Sequence, residues 1–380
     1  MSTQDLQGPQ STQFFTKTWT PPSGVPVRAQ VLFVHGFIEH VERYDHAFPR
    51  FADKGISVFA YDQRGFGRTA TYTPKHTQGR TSWPQQLEDI EFWLKHAQSL
   101  NPDVPLFLYG HSMGGALSLA FSLGRCTSSP TSHPHTPSPL LSSLSGVLIS
   151  SPLLRQSPSV KASPLIVRAG SLLGKVSGSL TLKAPVKAED CTRDPVAREA
   201  YVNDPLCKQQ GTFRGVADML LGGESLMTHS YKHWPPTLPL LIVHGTADKV
   251  TDPKASEEFV GKVKNEVGAK DATFKPFEGY FHEMHNEPGE DKNVEIDFLA
   301  DWIVSHLPSN PSSSSTGPTT TAAGTAAAGA GASELPAHAH EAVDAPVATT
   351  NALAVPAAAA AGGEAPASAA GEGEERESKL

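Results

Sequence analysis

The chain has 380 residues, a formal net charge of −8 and three cysteines. Eight acidic residues against two basic ones lie beyond Pro308, so residues 1–308 are nearly neutral and offer no basic surface for nucleic acid. Three scattered cysteines are too few for a disulfide framework and lack metal-ligand spacing, which indicates a reducing compartment. Because no apolar run has the length of a membrane span and the N-terminus is polar, we expect a protein that is not secreted.

Short apolar runs alternate with helical patterns along most of the chain. Residues 1–12 are polar and precede this pattern, so we expect a flexible arm there. The predicted strands cover 14–20, 31–34, 56–61, 106–109, 146–150, 238–243 and 272–277. The predicted helices cover 43–54, 83–100, 253–267 and 294–307, together with one that begins directly after residue 112. This alternation predicts an α/β fold in which helices cover both faces of a mostly parallel sheet.

Two segments interrupt the alternation of strands and helices, and a third follows it. Residues 126–145 are rich in Ser, Pro and His and predict a surface insertion loop. Residues 152–236 are mostly helical in pattern and predict a cap, inserted after the sixth strand, over the carboxyl edge of the sheet. The two parts of the core therefore span 13–151 and 237–308. Beyond them, 309–380 consist largely of Ala, Gly, Pro, Ser and Thr and predict a disordered tail.

The glycine-rich turn at residues 110–114 has the sequence Gly110-His111-Ser112-Met113-Gly114. An apolar strand precedes it and a helical pattern follows it, which is the context that a nucleophile elbow requires. Glycines leave the space that a sharp turn needs, so that a substrate can reach the hydroxyl of Ser112. The N-terminus of the following helix favours negative charge that develops beside the serine. We therefore predict that Ser112 is a catalytic nucleophile.

A serine nucleophile needs a base that takes its proton and a carboxylate that orients the base. Asp248 and His282 each follow a late predicted strand, and they stand in the chain order serine, acid, histidine. Asp252 is a competing acid, but its position before Pro253 favours a helix N-cap. His285 is a competing base, and we favour His282 because it comes first after the strand.

Negative charge on a reacting carbonyl oxygen needs two fixed hydrogen-bond donors. We predict that the backbone N–H of Met113, directly after the nucleophile, is one of them. The other is expected from the loop after the strand at 31–34, and we choose the backbone N–H of Phe37. No metal and no organic cofactor is expected for this chemistry.

Several motifs together resemble the monoacylglycerol lipase family of α/β-hydrolases, from about residue 14 to about residue 307. The matching motifs are His35-Gly36 with Glu39-His40 and Arg43-Tyr44, Tyr61-Asp62-x-Arg64-Gly65-x-Gly67, Gly110-His111-Ser112-Met113-Gly114-Gly115, Asn203-Asp204-Pro205-Leu206, His244-Gly245-x-x-Asp248-x-Val250 and Glu278-Gly279-x-x-His282-x-x-His285-x-Glu287. The resemblance implies the α/β-hydrolase fold, with Ser112 as nucleophile, Asp248 as acid and His282 as base. It also implies that the amides of Phe37 and Met113 are the oxyanion donors.

The chain departs from this family after its His-Gly pair. The family often has small residues at that point, whereas this chain has Phe37 and Ile38. We expect these larger side chains to narrow or reshape the entrance for an acyl chain.

The resemblance implies a serine hydrolase that cleaves carboxylic esters of lipids. The expected substrate is monoacylglycerol, and the products are fatty acid and glycerol, formed through an acyl-enzyme on Ser112. An acyl-CoA thioesterase or a lysophospholipase with the same triad is the alternative among enzymes. A non-catalytic ligand-binding protein of the same fold is the alternative of another class, because a fold alone does not fix function.

Two further segments predict where the protein acts. Ser378-Lys379-Leu380 at the C-terminus is a peroxisomal address, which the polar tail would present to the import receptor. If this address is not read, we expect a cytoplasmic or lipid-droplet-associated protein. Residues 165–176 in the cap are apolar with isolated basic residues, which indicates either contact with a lipid surface or packing against the core.

Overall fold

The computed structural model describes residues 1–72, 77–124, 137–160, 167, 170–174 and 177–308. The tail at 309–380, with its last residues Ser378, Lys379 and Leu380, lies outside the described residues. Most of the predicted insertion loop at 126–145 also lies outside them. All further structural statements refer to the described ranges.

The strands of the described residues form one large sheet and one small sheet. They are β1 Ser2–Gln7, β2 Gln13–Trp19, β3 Ala29–Val34, β4 Ile56–Tyr61, β5 Leu106–His111, β6 Leu144–Ser150, β7 Thr181–Lys183, β8 Gln210–Thr212, β9 Leu240–Gly245 and β10 Ala272–Phe277. The large sheet has the order β1-β2-β4-β3-β5-β6-β9-β10. Its neighbours from β4 to β10 are parallel, whereas β2 pairs antiparallel with β4. The predicted mostly parallel sheet is therefore confirmed.

The first strand corrects the prediction of a flexible arm at residues 1–12. All of β1 pairs antiparallel with β2, beginning with Ser2 opposite Thr18. The strand lies at the edge of the sheet, where all its side chains are exposed except that of half-buried Leu6. Its sequence therefore lacks the hydrophobic alternation that indicates a strand, and the backbone ladder to β2 holds it in place.

Helices cover both faces of the large sheet, as predicted. The described helices are α1 Phe48–Asp53, α2 Trp83–Leu100, α3 Ser112–Leu123, α4 Ala188–Cys191, α5 Pro195–Asn203, α6 Phe213–Thr228, α7 Pro253–Asn265 and α8 Asp291–Ser305. Short 3₁₀ segments lie at Pro9–Ser11, Val41–Tyr44, Thr69–Thr71, Pro139–Ser143, Ser230–His233 and Met284–Asn286. Successive side chains of β5 point to opposite faces, so Leu108 joins the core under α2, α3 and α7 while Tyr109 joins the core under α1 and α8.

The segment between β6 and β9 forms the cap. It contains α4, α5, α6 and an antiparallel pair of β7 and β8, which the sequence does not predict because each strand has only three residues. Thr212 caps α6 by accepting a hydrogen bond from the N–H of Gly215 at 3.1 Å. Side chains of α6 then join the core of α3, which connects the cap to the helix that begins at Ser112. None of the described helices has both the length and the apolarity needed to cross a membrane.

Candidate active site

Ser112 lies at the point where β5 ends and α3 begins. Its φ angle is +54°, in the left-handed region that non-glycine residues rarely occupy. A Cβ on Gly110 would lie 2.5 Å from the carbonyl oxygen of Gly114, and a Cβ on Gly114 would lie 2.2 Å from that of Val34. Both positions therefore require glycine, and the turn can be tight enough to direct the serine hydroxyl away from the sheet.

Ser112, His282 and Asp248 form one line of hydrogen bonds. The Nε2 atom of His282 lies 2.9 Å from the Oγ atom of Ser112, and its Nδ1 atom lies 2.7 Å from an Oδ atom of Asp248. Ser112 directly follows β5, Asp248 follows β9 and His282 follows β10. The carboxyl ends of three parallel strands therefore bring the three side chains together. This is the geometry of a nucleophile, a base and an orienting acid.

The carboxylate of Asp248 is fully buried and has several hydrogen-bond donors. The N–H groups of Val250 and Thr251 donate to one oxygen at 2.7 and 3.0 Å, and the Thr251 hydroxyl donates to the other at 2.8 Å. Burial alone would raise the pKa of Asp248, but the interactions with His282 and His244 hold that pKa well below its ordinary range. The acid is therefore ionised at neutral pH, as an orienting carboxylate must be.

His244 is a part of the site that we did not predict. Its Nε2 atom lies 2.9 Å from Asp248, and its Nδ1 atom lies 2.8 Å from the hydroxyl of Ser256 on α7. The position of His244 in the motif His244-Gly245-x-x-Asp248 was the available signal, because it ends the strand that leads to the acid. His244 and His282 thus contact the same carboxylate oxygen of Asp248.

The ionisation of His282 depends on its carboxylate neighbour. Burial disfavours the charged imidazolium, but the charge of Asp248 and its hydrogen bond outweigh burial, and the pKa of His282 lies above its ordinary value. An imidazole with a raised pKa is a stronger base toward the hydroxyl of Ser112.

The two competing residues lie in other environments. His285 is buried, stacks on Tyr44 with ring centroids 4.4 Å apart, and its ring nitrogens have no hydrogen-bond partner among the described residues. Burial lowers the pKa of His285 to about 3. Asp252 caps α7 through the N–H of Lys254 at 3.0 Å and also pairs with Arg155. The structure thus brings His282 and Asp248 to the serine and leaves His285 and Asp252 outside the hydrogen-bonded line.

The loop after β3 passes directly beside Ser112. A Cβ on Gly36 would lie 3.0 Å from the Cβ of Ser112, so only glycine allows this approach. The N–H of Gly36 donates to the carboxylate of Glu39, and Ile38 has a φ angle of +59°, which is strained for a β-branched residue. The amide of Phe37 donates to no acceptor in the described part of the chain. Met113 lies in the first turn of α3, where N–H groups have no partner inside the helix.

A buried network of charges supports this loop, and the sequence suggested it only as a motif without a role. Arg43 donates two hydrogen bonds to Glu283, at 2.8 and 2.7 Å, and one to Glu39 at 3.2 Å. Burial raises the pKa of Glu39 to about 7, although Arg43 acts in the opposite direction. The guanidinium of Arg43 overcomes burial at Glu283 and holds the pKa of that carboxyl well below its ordinary range. Arg43 also lies over the ring of Tyr201 in the cap, 4.8 Å from its centroid.

A cavity of about 310 Å³ lies in front of Ser112, between the core and the cap. The apolar part of its lining comes from the loop after β3, from β7 and α6 and from other cap residues, namely Phe37, Leu153, Val160, Leu182, Val216, Met219 and Leu220. Another part carries polar groups, namely Glu39, Lys183, Lys187, Asp190, Tyr201 and Glu283. A molecule that carries both an apolar chain and polar groups fits a lining of this composition.

Three side chains of the described residues have the composition of a metal site. The ligand atoms of His40, Asp204 and Cys207 all lie within 4.8 Å of one another. His40 already pairs with Asp204, however, since its Nε2 atom lies 2.8 Å from the carboxylate. Burial raises the pKa of the Cys207 thiol well above its ordinary value, so the sulfur is protonated rather than ready to bind a cation. We interpret the group as a polar link between the loop after β3 and the cap.

The sheet, the elbow and the inserted cap define an α/β-hydrolase. Within that class, the sequence pattern of the family described as serine aminopeptidase, S33, matches residues 25–289. The match covers more than half of the chain, so the chain belongs to this family.

Relatives and solved structures agree with this family. A Schizosaccharomyces pombe protein, named provisionally as a monoglyceride lipase, is 33% identical over 298 residues, which are 78% of this chain and 72% of that protein. The monoacylglycerol lipase of Mycolicibacterium smegmatis is 30% identical and matches 76% of this chain and 92% of its own. The crystal structure of a soluble variant of the monoglyceride lipase from Saccharomyces cerevisiae matches with a TM-score of 0.69 at 24% identity, over 81% of this chain and 96% of that chain. The last comparison shows the fold.

Proposed function

We propose that this carboxylic ester hydrolase cleaves monoacylglycerol into a fatty acid and glycerol, with Ser112 as nucleophile, His282 as base and Asp248 as orienting acid. The observation that carries the proposal is the hydrogen-bonded line of these three side chains at the wall of a largely apolar cavity. The names of the relatives support the same substrate class.

The reaction follows from the positions of the groups. His282 takes the proton of Ser112 while the serine oxygen bonds to the ester carbonyl carbon, and the amides of Phe37 and Met113 stabilise the negative oxygen that results. The ester bond then breaks, and His282 gives its proton to the departing glycerol oxygen. A water molecule, deprotonated by the same imidazole, attacks the acyl-enzyme and releases the fatty acid.

The first experiment compares three substrates with the same enzyme. Hydrolysis rates are measured for a monoacylglycerol, for the coenzyme A thioester of the same acyl group and for a short soluble ester, with wild type and Ser112→Ala. Preference for the glyceride, lost in the variant, is the expected result. Preference for the thioester would reassign the substrate while leaving the triad in place. If none of the three substrates is hydrolysed, the proposal of an enzyme is replaced by that of a non-catalytic ligand-binding protein of the same fold.

The cap offers a surface that supports contact with lipid. Leu172 and Leu173 lie in a helical turn at 170–174 and are 64% and 47% exposed, and Leu180 is exposed in the same part of the cap. Exposed leucines grouped on one segment are typical of proteins that rest on lipid. Replacing Leu172 and Leu173 by Glu should lower activity on emulsified ester while activity on soluble ester is retained. An equal loss of activity on both esters would indicate that these leucines pack against the protein core and do not contact lipid.

The C-terminal tripeptide supports a peroxisomal location for this activity. A fluorescent protein that carries residues 309–380 should enter peroxisomes, and the same fusion without Ser378, Lys379 and Leu380 should remain outside. If both fusions have the same distribution, the address is not read, and the cytoplasm or the lipid-droplet surface becomes the proposed location.

A further inference from the structure

Phe37 follows Gly36 in the loop beside Ser112 and lines the cavity in front of the serine. Gly36 holds the backbone beside Ser112, and the amide of Phe37 is one of the proposed oxyanion donors. A carbonyl oxygen bound to that amide places the first carbon atoms of the acyl chain within a few ångströms of the phenyl ring. The ring lines the same cavity as Ser112, so it borders the path that the chain must take.

The phenyl ring is held from two sides. It meets the buried ring of Phe66 edge to face, with centroids 5.5 Å apart and an interplanar angle of 76°. On the other side lies β8 of the cap, where a Cβ on Gly211 would be 3.1 Å from Cζ of Phe37 and 2.7 Å from Cγ2 of Val216. Because interiors are close-packed, the ring cannot leave the cavity without displacing either the core or the cap.

The cavity is small for the class of substrate proposed above. Its volume of about 310 Å³ lies at the lower end of the range for ligand pockets, roughly 300–1,000 Å³. The three α6 residues that line it, Val216, Met219 and Leu220, belong to one face of that helix, and Val216 lies next to Phe37. Phe37 and this apolar wall therefore line the same small cavity as Ser112.

We propose that the side chain of Phe37 limits the length of the acyl chain that the site accepts and is a specificity-determining residue for the ester. The proposal rests on the proposed function, because the acyl group concerned is the one that Ser112 would receive. Replacing the ring by a methyl group joins its volume to the cavity and leaves the backbone amide in place. Phe37 has no left-handed φ angle, so alanine fits its backbone conformation.

The test measures kcat/KM of wild type, Phe37→Leu and Phe37→Ala with octanoyl, lauroyl and stearoyl glycerol. For Phe37→Ala, the ratio of the stearoyl to the octanoyl value should rise about tenfold or more, since one methylene in an apolar pocket changes specificity by about 10–200-fold. Phe37→Leu should lie between the two. Leu220→Ala is the matched control, because it also removes apolar lining from the cavity but stands away from the oxyanion loop.

The outcomes separate this inference from the proposed function. An unchanged chain-length ratio in folded Phe37→Ala overturns the inference alone, and where that variant is inactive an unchanged ratio in folded Phe37→Leu does so. A rise of the same size in Leu220→Ala also overturns it, because the limit would then belong to the whole apolar wall. If wild type cleaves no ester at all, the proposed function fails first. Thermal unfolding of each variant shows whether it is folded.

Discussion

Replacing Arg43 by methionine tests how strongly the buried charge network stabilises the protein. The side chain of Arg43 is 9% exposed, and its partners Glu283 and Glu39 are 6% and 3% exposed. Removing one member of a buried ion pair leaves a charge without a partner and costs about 3–5 kcal/mol of unfolding free energy. At roughly 2–4 °C per kcal/mol for a domain of this size, we expect the midpoint of thermal unfolding to fall by about 10 °C. Methionine keeps the length of the arginine stem, so little packing is lost.

A surface pair with the same chemistry provides the control. Arg50 also forms a bidentate salt bridge, in this case with Asp297 on α8, but the side chains of Arg50 and Asp297 are 39% and 34% exposed. Arg50→Met should therefore cost about 1 kcal/mol or less. The double variant Arg43→Met with Glu283→Gln should lose less stability than the sum of the two single variants, because the second change removes the stranded charge. Equal losses for Arg43→Met and Arg50→Met would refute this account of the network.

Three further outcomes are expected from the same geometry. Asp248→Asn should lower kcat by roughly 10⁴-fold with the fold intact, because an amide cannot hold the imidazole in the required tautomer; a loss under tenfold would contradict its role. In wild type, the acid limb of kcat/KM should lie above pH 6.5, since His282 must be neutral to act as base and its pKa is raised; a limb below that value would contradict the assignment. Glu295 is buried, and among the described residues the Ser150 hydroxyl is its one hydrogen-bond partner; burial raises the pKa of Glu295 to about 8. The folded protein therefore keeps the Glu295 proton to a higher pH than the unfolded chain does. The free energy of unfolding should be greatest below the unfolded pKa and should fall as the pH rises toward 8, by at most about 1.4 kcal/mol per pH unit. Urea unfolding should show this slope in wild type and not in Glu295→Gln, and the same slope in both proteins would refute the assignment to Glu295.

The parts of this fold that could be predicted are those that a local sequence pattern determines. The elbow around Ser112 has an apolar strand, glycines and a helix in immediate succession, so local pattern was sufficient. Asp248 and His282 could be placed because each lies in the loop that follows a strand of one parallel sheet. The strand β1 could not be predicted, since its polar residues carry no alternation and depend on a partner strand.

The polar support of the site could not be derived from spacing alone. Arg43 meets Glu283 across 240 positions of sequence, and no local pattern encodes a contact of that separation. The same holds for the position of Phe37 between Phe66 and the cap, because β8 is too short to be recognised before the fold is known. Sequence indicated that Phe37 was unusual, and only the packing shows what holds it.

Both edge strands of the large sheet have features that disfavour pairing with a strand of another chain. On one side β1 presents exposed polar side chains, and on the other β10 carries Lys275 and Pro276, the second of which has no N–H to donate. Charged residues and proline at such margins discourage strand addition and the aggregation that follows from it. A version that begins after residue 7 would uncover the backbone of β2, which is more apolar than β1. The six-residue strand β1 thus protects the edge of the sheet from aggregation. A protein that lacks β1 should precipitate even though every residue near Ser112 is intact.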